Sequence, residues 1–139
     1  MVVVAAGVET EILRHARGAM PEECCGVLVG TFAAGEWTVV EAVALENVSS
    51  ADRHVRYEAD PRGILAADKA ARARGLDVIG FYHSHPVGEG RPSGEDLRLA
   101  WEGYLYVIAE MDEGRGAGRL RAWRFVMGRA EEIAVKVES

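Results

Sequence analysis

The stretch "LDVIGFYHSHPVGEGRPSGED", Leu76 to Asp96, carries the main fold signal of the chain and its main chemical signal. Its first part is an apolar run of strand length that does not alternate with polar residues. Such a run predicts a central strand buried on both faces, the kind found in the middle of an α/β sheet. Pro86 has no amide N–H and fits where sheet pairing stops. Gly88, Gly90 and Pro92 make a loop, and "SGED" reads as the start of a short helix at Ser93.

On a strand, residues i and i+2 share a face and lie about 6.6 Å apart along the chain. His83 and His85 therefore face one side, and Ser84 faces the other. Two imidazoles at that separation can lean in to one zinc ion at about 2.0–2.1 Å each. A catalytic zinc takes three protein ligands and keeps one position open for water. Asp96 is the candidate third ligand, because the Gly/Pro loop can fold the chain back over the strand end and a first helical turn favours a carboxylate. Plainer readings exist for the parts. An isolated H-x-H is more often a surface or core pair than a metal site. Ser93-x-x-Asp96 resembles a capping box, although glutamate suits the third helical position better. The two roles are compatible, since Ser93 can cap the helix and still present its hydroxyl. His15 and His54 have no such constellation and read as solvated or locally bonded.

Outward from this stretch the chain reads as alternating elements. "VETEILRHARGAM" has helical spacing at Val8, Ile12, Leu13, Ala16 and Met20, ended by Gly18 and Pro21. "CCGVLVG" is a short buried strand, and the valine-rich "EWTVVEAVALEN" pairs with it as a hairpin. "VSSADRHVRYEAD" is mostly loop, with a short strand at Val55 to Glu58. "PRGILAADKAARARG" is a helix with proline at its start and glycine at its end. After the quoted stretch come a strand at "YLYVIAEM", a turn at "DEGRGAG", a strand at "RLRAWRFVMG", and a half-exposed edge strand at "EEIAVKVE" that alternates at Ile133, Val135 and Val137. This order predicts a mixed α/β domain around a single sheet flanked by helices.

The bulk numbers agree with one domain over residues 1–139: 49% of residues are hydrophobic and 27% charged, with no repeat or low-complexity run. The net charge of -6, with scattered arginines, argues against nucleic acid as a partner. The start "MVVVAAGVET" lacks the positive and apolar regions of a signal peptide, and no segment approaches the ~20 apolar residues that span a bilayer. A cytoplasmic protein without membrane contact is expected. Cys24 and Cys25 are adjacent. Their Cα atoms sit about 3.8 Å apart while disulfides want about 4.4–6.8 Å, so they read as small buried residues rather than a redox or metal pair.

Taken together, His83, Ser84, His85 and Pro86, with seven residues between His85 and Ser93, and then Asp96, resemble the signature of the JAMM metalloproteases, the active branch of the MPN (Mov34/PAD-1) family. "MPEECCGVLVG" resembles the family segment in which a proline, any residue and a glutamate precede an apolar strand. The resemblance implies a fold like that of cytidine deaminases, although the deaminase signature of H-x-E with P-C-x-x-C is absent. It implies zinc held by His83, His85 and Asp96, Glu23 as general acid/base with Glu22 its variable neighbour, and Ser93 donating to the oxyanion. It implies hydrolysis of a peptide or isopeptide bond after the C-terminal Gly-Gly of a ubiquitin-like protein. The chain is compact and its segment from Asn47 to Glu58 is short, which is similar to stand-alone prokaryotic members. Those act on small ubiquitin-fold sulfur carriers or their conjugates. Three alternatives stay open: an inactive MPN scaffold, a relative of the bacterial DNA-repair-linked family whose motif is H-N-H-P, and a zinc-stabilised binding module without turnover.

Overall fold

The computed structural model describes residues 1–53, 56–86, 88–111 and 118–139. Among these, the chain runs through β1 (Val2–Val4), α1 (Val8–Ala19), β2 (Cys25–Ala33), β3 (Glu36–Leu45), α2 (Pro61–Ala73) and β4 (Asp77–His85). It continues through α3 (Gly94–Leu99), β5 (Leu105–Met111), β6 (Gly118–Val126), β7 (Arg129–Ile133) and β8 (Val135–Val137). The strands form one mixed sheet in the order β7-β6-β5-β4-β2-β3-β1-β8. The apolar run at Leu76 does become the central strand: β4 lies between antiparallel β2 and parallel β5.

The two long helices cover opposite faces. Val8, Ile12 and Ala16 recur at helical spacing and bury one face of α1 against Leu28, Val39, Tyr82 and Val107. On the other side, Ala67 and Ala71 of α2 pack with Val27, Val29, Val78 and Phe81. Asp60 caps α2 by accepting from Arg62 N at 3.0 Å, with Pro61 in the first turn where its missing N–H costs nothing. Tyr106, Ile108, Trp123 and Phe125 extend the α2-side layer beyond Phe81.

One irregularity sets the phase of β4. Its pairing with β2 steps from Leu28–Gly80 to Val29–Val78, leaving Ile79 bulged. Ile79 and Tyr82 therefore pack on the α1 side, while Val78 and Phe81 pack on the α2 side. Alternation from Phe81 onward puts His83 and His85 on the α2 side as well.

Three sequence expectations need correction. Val2–Val4, read only as too short for a leader, is an interior strand between β3 and β8, parallel to both. "EEIAVKVE" is not one edge strand. It breaks at Ala134 into β7 and β8, which occupy opposite ends of the sheet order. Consecutive strands can do this only if the sheet curls until its ends meet, and Val2 N donates to Ala134 O at 2.9 Å at that junction. Alternation cannot reveal such a switch, because Ile133 and Val135 face the same core from both edges. The third correction concerns the short strand at Val55 to Glu58. Val55 is outside the described residues, as are His54 and most of the "DEGRGAG" turn. Residues 56–58 are not a strand; only an isolated bridge joins Asn47 and Ala59. The Asn47 side chain takes the place of a strand partner there, accepting from Glu58 N and donating to Arg56 O. No described helix is long and apolar enough to cross a membrane.

A Cβ at Gly80 would strike the backbone carbonyl of Leu105 on β5, beside the bulge. Gly80→Ala should cost about 1–3 kcal/mol or more, since backbone cannot move aside cheaply. Gly18, in α1 with nothing within 4 Å of its Cβ position, should give the opposite result: Gly18→Ala should be neutral or stabilising by about 0.5–1 kcal/mol. Urea unfolding of both variants checks the pair, and an unchanged midpoint for Gly80→Ala would contradict the close β4–β5 approach.

Candidate metal centre

Three donor atoms converge at the end of β4. His83 Nε2 lies 3.2 Å from His85 Nε2. Asp96 Oδ2 lies 3.3 Å from the first and 3.4 Å from the second. A cation bound tetrahedrally at about 2.0–2.1 Å has ligand atoms ~3.3–3.4 Å apart, the edge of that tetrahedron. The spacing and the donor types, two imidazoles and a carboxylate, therefore fit such an ion.

Each donor is aimed by its own local device. Ser93 and Asp96 form a complete capping box at the start of α3. Ser93 Oγ accepts from Asp96 N at 3.0 Å, and Ser93 N donates to Asp96 Oδ2 at 2.7 Å. The cap and the site are thus one arrangement, because the capping oxygen is the one facing the imidazoles. His85 Nδ1 donates to Glu89 O at 2.9 Å, which leaves its Nε2 lone pair for a metal. That loop is pinned in turn: Gly90 N donates to Glu110 Oε2 at 2.6 Å, and Trp123 Nε1 donates to Gly90 O at 2.9 Å. His83 differs. Its Nδ1 is buried without a hydrogen-bond partner among the described residues. Tyr57 stacks on the ring instead, with centroids 4.4 Å apart and planes 20° from parallel.

The electrostatics follow from burial and from Asp96. Burial holds His83 below its ordinary 6.5. Burial also works against the charged form of His85, but hydrogen bonds to Asp96 and to the Glu89 carbonyl outweigh it, and the net shift is upward. For Asp96, burial alone would raise the pKa, yet the contacts with both histidines prevail and hold it well below the usual carboxylate range. Glu23 is 6% exposed. Burial pushes its carboxyl from 4.5 to about 7, with His85 opposing and Asp96 adding to the shift. Glu22 is exposed, at a bend where its N–H donates to Ala19 O at 2.9 Å.

Ser84, expected to point away, does so with a purpose the sequence did not reveal. Its hydroxyl accepts from Cys24 N at 2.9 Å, and its own N–H donates to Cys24 O at 3.1 Å. This double link fixes the residue after Glu23 against β4. Cys24 and Cys25 are free and buried, and burial pushes their thiols up to about 11 and about 12. They are packing groups at neutral pH. His15, outside the site, pairs its Nδ1 with Tyr82 OH at 2.7 Å. Beside the three donors lies a groove of about 430 Å³, lined mainly by apolar and aromatic side chains including Tyr57, Phe81, Trp101 and Tyr106. A larger depression of about 680 Å³ contains none of the three donors, and its charged groups pair among themselves, as in Arg119 with Glu110.

A sequence profile of prokaryotic homologues of the JAB domain matches residues 5–126. The chain is 39% identical to a desampylase of Haloferax volcanii, over 97% of this chain and 95% of that protein. It is 31% identical to a probable TtuB-protein conjugate cleaving protease of Thermus thermophilus, over 96% of this chain and 81% of the relative. A solution structure of a protein from Desulfitobacterium hafniense superposes with a TM-score of 0.88 at 29% identity, covering 99% of this chain and 93% of that one.

Metal loading should release protons, because the bonds to Asp96 and to the Glu89 carbonyl raise the pKa of His85 against its burial, and any proton on Nε2 must leave before that nitrogen can be a ligand. Calorimetric titration near pH 6.5 in two buffers of different ionisation enthalpy should register the release, and affinity should weaken as pH falls. An affinity independent of pH would contradict this, as would full metal retention in a His83→Ala, His85→Ala double variant.

Proposed function

We propose that this chain, which belongs to the family of prokaryotic JAB-domain homologues, is a zinc-dependent peptidase or isopeptidase acting after the C-terminal Gly-Gly of a small ubiquitin-like sulfur-carrier protein. The observation that carries the reading is the meeting of His83, His85 and Asp96 within 3.4 Å, next to a buried Glu23 with a raised pKa. In this reading residues 1–139 act as one catalytic domain in the cytoplasm. A reducing compartment suits two free cysteines.

His83 Nε2, His85 Nε2 and Asp96 Oδ2 would hold the zinc. Once bound, the ion supplies Lewis acidity that lowers the pKa of a water toward about 7 and polarises the scissile carbonyl. Glu23 takes the proton from the attacking water and delivers it to the leaving nitrogen. A carboxyl near 7 suits both halves of that task, since it can accept and return a proton at neutral pH. Ser93 Oγ accepts from Asp96 N and keeps its own proton free to donate to the oxygen that gains charge. The flanking groove would take the extended tail, with room for a Gly-Gly pair where larger side chains would meet its aromatic walls. The desampylase and the TtuB-conjugate protease support the substrate class by what their names say they cleave.

A carrier ending in Gly-Gly plus an extension should be cut far faster than one with bulky residues at those two positions. Equal rates, or vigorous casein digestion, would contradict the reading. Glu23→Gln should keep zinc and fold yet lose ~10²–10⁴ in kcat/KM, while Glu22→Gln should behave nearly as wild type. If Glu22→Gln is the inactive variant, or Glu23→Gln fails only by losing metal, the proton shuttle is misassigned.

A further inference from the structure

Asn47 follows β3 and belongs to none of the motifs above. Its side chain makes four hydrogen bonds, the full capacity of a carboxamide. Nδ2 donates to Glu23 O at 3.0 Å and to Arg56 O at 3.1 Å. Oδ1 accepts from Ser49 N at 3.1 Å and from Glu58 N at 3.0 Å. Two of these bonds, to Arg56 and Glu58, grip the chain on either side of Tyr57. A third grips the backbone of Glu23.

We propose that Asn47 is a positioning residue that holds the proton-shuttling carboxylate of Glu23 and the Tyr57 strap in register on either side of the metal ligands. The inference rests on the proposed function for the role of Glu23, but its geometric half stands apart from it. Glu23 has its N–H bound to Arg53 O and its carbonyl bound to Asn47, while Ser84 holds Cys24 after it. The path of its backbone is thereby fixed, and with it the direction of its side chain. Tyr57 matters because, among the described residues, the His83 Nδ1 has no partner for the hydrogen bond that ordinarily orients a metal-binding imidazole. The stacked ring of Tyr57 supplies that orientation, and Asn47 fixes the strap carrying it. Arg56 reaches Glu95 at 3.1 Å, so the same strap also borders the groove near Asp96.

The test uses the whole chain with Asn47→Asp and Asn47→Ala. Asn47→Asp keeps both acceptor bonds and loses both donors, so it retains the loop while releasing the Glu23 and Arg56 carbonyls. Val135→Ala, on the far edge strand, serves as a control for simple loss of stability. NMR of the His83 ring in metal-free protein reads the Tyr57 stack through its ring-current shift, with Tyr57→Leu defining the unstacked value. Both Asn47 variants should move the His83 ring signals toward that value, and Val135→Ala should not. With zinc content matched, Asn47→Asp should lower kcat by about 10- to 100-fold, the cost of a misplaced catalytic group, at a melting temperature no lower than that of the control. A stacked His83 ring and wild-type kcat in Asn47→Asp would overturn the proposal and leave Asn47 a loop cap. Should the wild type cleave no Gly-Gly carrier, the proposed function fails, while the NMR arm still decides whether Asn47 sets the strap.

Discussion

Two imidazole nitrogens and one carboxylate oxygen brought within 3.4 Å, mostly out of water, form the constraint on which the rest of the site depends. Such a cluster is workable only if a proton or a cation is shared among its members. The fold serves this convergence from several directions. A bulge at Ile79 phases β4 so that both histidines face the α2 side, and the cap of α3 turns Asp96 toward them. The 89–90 loop, tied to β5 and β6, sets the tautomer of His85. Each device is ordinary. Their coincidence at one strand end makes a centre.

Much of this was legible because it depends on local spacing. The i, i+2 rule on a strand placed His83 and His85 together, and the S-x-x-D spacing yielded both a helix cap and a third donor. The P-x-E resemblance picked out Glu23, which is buried, over Glu22, which is exposed. What stayed hidden depends on contacts distant in sequence. Val2–Val4 is a strand only because β3 and β8 flank it, and the break at Ala134 makes sense only once the sheet has curled. The Ile79 bulge leaves no mark in an apolar run that is buried on both faces. Asn47 was the last residue of the valine-rich strand stretch, and nothing in "LENVSS" says that its four partners lie in three separate segments.

Burial at the site also makes stability depend on pH. Burial raises Glu23 from 4.5 to about 7, so the folded state favours its protonated form. That contribution to stability is fully present below 4.5 and is lost as pH rises through about 7. His83 Nδ1, buried with no hydrogen-bond partner among the described residues, adds an unfavourable term. Both sit where a bound cation would act, one by favouring ionised Glu23 and the other by fixing the imidazole through its opposite nitrogen. Buried, imperfectly satisfied polar groups of this kind mark places where packing has yielded to chemistry.

The most direct measurement is mass spectrometry of a ubiquitin-fold carrier, extended beyond its C-terminal Gly-Gly, after incubation with zinc-loaded and with chelator-treated protein. The expected result is a single truncation immediately after Gly-Gly, abolished by the chelator and restored by added zinc. An intact carrier in every incubation, or cleavage at other positions that survives the chelator, would contradict the assignment of this centre as a metal-dependent peptidase.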